Sequence, residues 1–228
     1  MILTQLIIVV IVGYLLGSIP FGLLLGKRFS KLDIRTQGSG KMGATNVLRT
    51  AGKKAAALAV VLDASKGALA VIAAGLIFGR NYLVIGDFGL GLLVAQCMAA
   101  LAAMAGHNWS IFMKFKGGRG VATFFGGLIA LSPVVALFGG QVLVIGAGLT
   151  KFASLGSIAG VVGTYSILIP LTIWNGFPVE YLVYTLIGTI IIIVMHRDNI
   201  GRLLTGKERK LGEKAKAIEV SPKKETAG

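Results

Sequence analysis

Three short stretches of this chain collect residue types suited to holding a phosphate. The first is GSGKMGATNVLR, residues 38–49. Glycines at 38, 40 and 43 let backbone N–H groups approach a ligand closely and form an anion-binding nest. Lys41 and Arg49 add positive charge. Thr45 and Asn46 are suited to capping the next helix, whose N-terminus also favours an anion. The glycine spacing is not that of a P-loop, and no Gly-Lys-Ser/Thr occurs. The stretch reads either as a phosphate cradle or as a basic loop between apolar runs. The second stretch is FKGGRGVAT, residues 115–123. Here Gly117 and Gly118 separate Lys116 from Arg119, and Thr123 would help to start the following helix. A guanidinium can grip phosphate with a planar fork, whereas a lysine is a mobile point charge. The third is MHRDNIGRL, residues 195–203. His196 and Asn199 are three apart and share a helical face. A histidine there is either a base or phosphate donor or an interfacial residue with no chemistry.

Other chemistries lack their residues. His107 is followed by NWSIF, so the H-x-x-x-x-D of the common glycerolipid acyltransferases is absent. The two histidines and the single cysteine are scattered, and no G-x-S-x-G occurs. Neither a metal nor a cofactor is expected. Asp63 and Lys66 lie at i, i+3 inside an apolar run. Intramembrane charges are costly and are paired or functional. Mutual pairing is the expectation, with a role for Lys66 at a lipid head group as the other option.

The elements that must position these loops are apolar. Of 228 residues, 55% are hydrophobic and only 14% charged, with mean hydropathy +0.82; ordinary soluble domains carry about 25% charged residues. The apolar runs are 2–25, 55–78, 88–105, 121–131, 134–149, 155–174 and 181–195. Such runs must be helical, because a lone strand leaves its backbone unsatisfied in lipid. The fold expected is an all-α polytopic membrane protein with seven transmembrane helices. Residues 1–204 form the membrane-embedded domain, and 205–228 a basic, partly disordered tail. The first run has no basic residues before it and reads as a retained span, not a leader. Cys97 lies in an apolar run and has no cysteine to pair with.

Charge sets the orientation. The segments 27–54, 107–119, Lys151 and the tail from His196 hold 21 of the 23 Lys and Arg. The positive-inside rule places these on the cytoplasmic side. The N-terminus is then outside, the C-terminus inside, and the number of spans odd. Arg119 and Lys151 are both inside, with 31 residues between them, broken at Ser132-Pro133. Two short tilted spans or one re-entrant hairpin both keep the parity; two spans, giving seven in all, are the expectation. A net charge of +14 confined to loops fits topology and an anionic leaflet rather than nucleic acid. Glycines in 86–91 and 156–163 would let helices approach closely.

Taken together, Gly17-Ser18-Ile19-Pro20, GSGKMGATNVLR, DASKG, GHNWSIFMKFKGGRGVAT, SLGS at 154–157 and HRDNIGRL resemble the bacterial integral-membrane acyl-phosphate:glycerol-3-phosphate acyltransferases. The resemblance covers nearly the whole chain. It implies seven membrane helices in the bacterial cytoplasmic (inner) membrane, with the site on the cytoplasmic side. It implies transfer of a fatty acyl group from acyl phosphate to the 1-hydroxyl of sn-glycerol 3-phosphate, giving lysophosphatidic acid and phosphate. Acyl phosphate, glycerol 3-phosphate and membrane lipid are the implied partners, along with the enzyme that makes the acyl phosphate. Carried over by motif, the catalytic positions are Ser39, Arg49, Lys116, His196 and Asn199. Gly38, Gly40, Lys41, Gly43, Thr45, Asn46, Gly117, Gly118, Arg119 and Ser154 would bind substrate. The family usually has Asn where Lys41 stands and Lys where Arg119 stands, so the essential lysine is placed at Lys116. A transporter for a phosphorylated small molecule is the alternative, since glycine-rich broken helices and basic loops suit one too. The lack of an evident internal repeat weighs against it.

Overall fold

Proline and glycine decide where the long apolar runs break. The computed structural model describes residues 2–85 and 88–215. The first run is split at Ile19-Pro20 into α1 (Ile2–Ser18) and α2 (Phe21–Ser30), because Pro20 cannot continue an α-helical hydrogen-bond ladder. Helix α3 (Ala44–Phe78) contains Gly52 at φ 86, which separates a first short turn carrying Arg49 from the long apolar part. Strands β1 (Leu83–Ile85) and β2 (Phe88–Leu90) pair as an antiparallel hairpin. This hairpin corrects two expectations. The third apolar helix, α4 (Leu92–Asn108), starts after it, and Gly89 and Gly91 lie against Tyr82 rather than at a helix interface. Gly86 and Asp87 lie outside the described residues, as does the tail from residue 216.

Five helices complete the chain: α5 (Val121–Leu131), α6 (Pro133–Thr150), α7 (Ala153–Asn175), α8 (Val179–Met195) and α9 (Arg197–Leu204). All seven apolar runs are therefore helical, apart from the hairpin at 88–90. By length and composition, four helices can cross a membrane among the described residues, or five if α8 and α9, bent by 60°, count as one span. Helix α5 makes up a whole apolar run by itself yet is short: its 11 residues rise only about 16 Å at 1.5 Å each, against a hydrocarbon core of about 30 Å.

Burial of α5 explains why so short an apolar helix is held firmly. Phe124 and Leu128 are fully buried. The Phe124 ring stacks on Tyr184 of α8 at 5.2 Å, and the Tyr184 hydroxyl donates to the Phe124 carbonyl at 2.8 Å. Small residues let the helices touch elsewhere. Gly156 and Gly160 of α7 lie against the α6 backbone around Leu143, as the 156–163 pattern predicts. On the outside, large apolar side chains such as Leu76, Leu149 and Trp174 are 79–83% exposed. A belt of this kind marks a lipid-facing surface rather than a water-facing one, and the chain is a multi-pass membrane protein.

Candidate active site

The first glycine loop is wound around a single buried amide. Asn46 stands in the first turn of α3 and is 2% exposed. Its Nδ2 donates to the carbonyls of Ile34 (2.9 Å), Lys41 (2.9 Å) and Gln37 (3.1 Å). Its Oδ1 accepts from the Ser39 N–H at 3.0 Å. Gly38 and Gly40 have φ +58 and +66, a conformation in which a Cβ is costly; a Cβ on Gly38 would also strike Asn46 Oδ1. The helix cap is Gly43, with no side-chain bond. Thr45 and Asn46 therefore sit inside the helix and do not cap it, because Gly43 occupies the cap position and the Asn46 amide is taken by the loop. One turn further, Arg49 Nη2 donates to the carbonyls of Arg209 (3.2 Å) and Lys210 (3.3 Å).

The second loop hangs from the end of α4. The Gly118 N–H donates to the His107 carbonyl at 3.0 Å. Gly117 and Gly118 press so closely on His107 and Asn108 that neither has room for a Cβ. Gly120, at φ 77, caps α5 without a side-chain bond. Thr123 is fully buried, and its hydroxyl finds no partner among the described residues; it does not start the helix, since Gly120 does. Arg119 turns into a cavity. Burial removes hydration from its guanidinium, Arg202 repels it, and its pKa is pushed down to about 10. It remains charged at neutral pH, in surroundings that an anion would improve. Lys116 is exposed and does not line that cavity.

The third stretch forms the elbow between α8 and α9. His196 is 2% exposed, and its Nδ1 lies 2.8 Å from the Ile192 carbonyl. Nδ1 must carry the proton in that bond, which leaves Nε2 as an acceptor. Asn199 Nδ2 donates to Glu208 Oε1 at 2.6 Å, Ser154 Oγ donates to the same oxygen at 2.9 Å, and Arg202 Nε donates to Oε2 at 2.8 Å. Burial alone would raise the Glu208 pKa, but the bonds from Asn199, Ser154 and Arg202 outweigh it and hold it below the usual carboxylate value.

These parts enclose a cavity of about 530 Å³. Gly38, Ser39, Lys41, Arg49 and Arg119, all singled out by sequence, lie on its wall. Asp198, Arg202 and the segment around Lys207–Ala215 supply the rest. Seven of the lining residues are basic (Lys41, Arg49, Arg119, Arg202, Lys207, Arg209 and Lys214) against two acids, Asp198 and Glu213. Buried Nε atoms of Arg49 and Arg119, and Asn199 Oδ1, have no hydrogen-bond partner among the described residues. Gly40, Gly43, Thr45, Asn46, Lys116, Gly117, Gly118, Ser154, His196 and Asn199 support the cavity or lie near it without lining it. Arg202 and Glu208 were missed by sequence reasoning. Arg202 follows Asn199 by three residues on one helical face, and Glu208 is an acid set among bases in KERK; both were signals. The tail crosses the site because the Ala215 N–H bonds the Arg49 carbonyl at 3.2 Å and the Leu211 N–H bonds the Lys151 carbonyl at 2.7 Å.

Fold and cavity define an integral membrane protein with a pocket lined mostly by bases beside glycine-rich loops. Residues 7–206 match the glycerol-3-phosphate acyltransferase family. The chain is 63% identical over 216 residues to glycerol-3-phosphate acyltransferase 3 of Dehalococcoides mccartyi (strain CBDB1), covering 95% of this chain and 100% of that relative. It is 40% identical to the glycerol-3-phosphate acyltransferase of Clostridioides difficile (strain 630), over 91% of this chain and 96% of the relative. The fold is similar to the crystal structure of PlsY (YgiH), an integral membrane glycerol 3-phosphate acyltransferase, in its glycerol 3-phosphate form. That similarity has a TM-score of 0.77 at 37% identity, over 90% of this chain and 94% of the other. The lysophosphatidic acid form of PlsY aligns with a TM-score of 0.73 at 36% identity, over the same shares of the two chains. The chain belongs to the glycerol-3-phosphate acyltransferase family and is an acyltransferase.

Proposed function

We propose that this enzyme transfers a fatty acyl group from acyl phosphate to the 1-hydroxyl of sn-glycerol 3-phosphate, releasing lysophosphatidic acid and inorganic phosphate as an early step of phospholipid synthesis. The observation that carries the reading is the cavity wall. Seven bases against two acids, with arginine N–H groups left without partners, suit a site for phosphate groups, and both substrates carry one. PlsY, crystallised in glycerol 3-phosphate and lysophosphatidic acid forms, supports the same assignment.

Acyl phosphate is an activated mixed anhydride, so no covalent acyl-enzyme is needed. The glycerol 1-hydroxyl oxygen attacks the acyl carbon, the bond from that carbon to the phosphate oxygen breaks, and phosphate leaves with the electron pair. The hydroxyl proton passes to a phosphate oxygen. Arg49 and Arg119 hold the phosphates and stabilise the leaving group. Ser39 stands on the same cavity wall as Arg49, where it can donate to a phosphate. Ser154 and Asn199 act through Glu208, which ties α7 and α9 to the tail.

The assembly is read as seven spans in the bacterial inner membrane, N-terminus outside, with the site and the tail on the cytoplasmic face near the enzyme that supplies acyl phosphate. The charge bias of the loops supports this orientation. A cysteine at position 40, in a Cys97→Ser background, is expected to react with an impermeant thiol reagent only in inside-out vesicles, and one at position 175 only from outside. Labelling of both from one face overturns the orientation. For the chemistry, purified protein is given glycerol 3-phosphate with acyl phosphate or with acyl-CoA. Phosphate release with the first donor and no transfer from the second is the expected result. Transfer from acyl-CoA alone defeats the proposal.

A further inference from the structure

A second polar cluster lies inside the helices, away from the cavity wall. Lys66 Nζ is 2.7 Å from Asp63 Oδ1 and 3.4 Å from His107 Nδ1, and His107 Nδ1 is 3.5 Å from the same carboxylate oxygen. All three residues are at most 5% exposed. Asp63 and Lys66 come from α3 and balance each other; His107 comes from the last turn of α4. Replacing a buried ion pair by apolar residues is often neutral or stabilising, so stability alone does not explain its presence.

The contacts of the cluster lead in two directions, and each ends at a glycine loop. On one side the His107 ring rests against Gly118, and its carbonyl receives the Gly118 N–H, one residue before Arg119. On the other, Lys66 Nζ sits 5.1 Å over the Phe21 ring, and the adjoining Gly22 is pressed on the Met42 carbonyl of the first loop. We propose that Asp63, Lys66 and His107 are positioning residues that set the spacing between the two glycine loops, and so between Arg49 and Arg119. Lys66 bridges carboxylate and imidazole, fixing the His107 ring; that ring and its carbonyl fix Gly118. None of the three touches the cavity, so the cluster acts on the reaction only through the loops it holds.

The test uses the full chain reconstituted in lipid, in a Cys97→Ser background. Spin labels at positions 35 and 114, both exposed and outside the cavity lining, report the distance between the loops. The double variant D63L/K66M removes both charges together. It is expected to keep its helical content and Tm near the parent's, to broaden or shift the label distance, and to lower kcat for phosphate release at least tenfold. His107→Leu, which strands no charge partner pair, is expected to show the same separation of activity from Tm, and His107→Gln to recover part of it. An unchanged label distance and an unchanged kcat in both folded variants overturn the proposal. So does a loss of activity that tracks Tm with the label distance of the folded fraction unchanged. The kinetic arm rests on the acyl-phosphate reading. If the parent protein releases no phosphate, that reading fails, and the label distance still decides the role of the cluster.

Discussion

At the cavity, Arg49 and Arg119, two of its seven bases against two acids, keep buried Nε atoms without partners among the described residues. About four turns along α3 from Arg49, beyond the Gly52 kink, the Asp63–Lys66 pair is closed at 2.7 Å with His107 beside it. Both regions bury charge on the same helix, but they treat it oppositely. Where the opposite charge is supplied by the chain itself, the ions bind each other and hold the structure. Where positive charge accumulates around the cavity, an anionic ligand would supply the counter-charge. The balance of charge therefore separates the two regions: Asp63 and Lys66 neutralise each other, whereas the cavity wall carries seven bases against two acids.

The largest expected effect falls on the closed pair. Lys66→Met leaves the Asp63 carboxylate buried and unpaired, which costs about 3–5 kcal/mol. Chemical denaturation in detergent should show that loss, and D63L/K66M should recover most of it. Equal stability of the single variant and the parent would mean that the pair is not what holds the charge there.

Next come the open arginines. A hydrogen bond to a charged group is worth about 1.5–3 kcal/mol, or roughly 10- to 200-fold at 1.4 kcal/mol per tenfold. Arg49→Ala and Arg119→Ala should each lower kcat/KM for phosphate release by at least about tenfold, with Tm little changed because no internal ion pair is broken. Arg119→Lys keeps the charge but loses the planar fork, and should recover only part. If either alanine variant loses stability instead of activity, the contrast between the two regions collapses.

Lys116 sharpens the comparison on a smaller scale. It shares the second loop with Arg119 but is exposed and outside the lining. Lys116→Ala is expected to cost about threefold or less, under ~0.7 kcal/mol, and exposed Lys54→Ala nothing measurable. A loss for Lys116→Ala as large as that for Arg119→Ala would bring Lys116 into the site and show that the loop moves when substrate binds.

The smallest effect is a pH dependence at the tail. The Glu208 carboxyl is held below its ordinary value by Asn199, Ser154 and Arg202. A depressed folded pKa contributes stability that is present above the unfolded value of about 4.3 and is lost as pH falls through the folded value. Tm should therefore drop as pH is lowered below about 4.3, and Glu208→Gln should remove that component while lowering Tm at neutral pH. An identical acid profile for parent and variant would show that Glu208 does not hold the tail.

The sequence by itself determined the helical membrane class, the helical runs and the two glycine loops. These follow from local properties: an apolar run in lipid must satisfy its own backbone, Ser132-Pro133 marks a break, and Gly38, Gly40 and Gly120 adopt φ values that other residues avoid. Ser39, Arg49 and Arg119 were legible for the same reason, as chemistry written next to flexible backbone. Only the tertiary structure decided which way the polar side chains turned. It folded Asn46 back into its loop instead of over the helix end, brought His107 to Lys66 across 41 residues of chain, and drew Glu208 from the tail onto Ser154 and Asn199. It also put Arg119 on the wall and Lys116 outside, although only three positions separate them and both are basic. A side chain's partner depends on which elements pack around it, and no property of the residue or its neighbours in sequence carries that information.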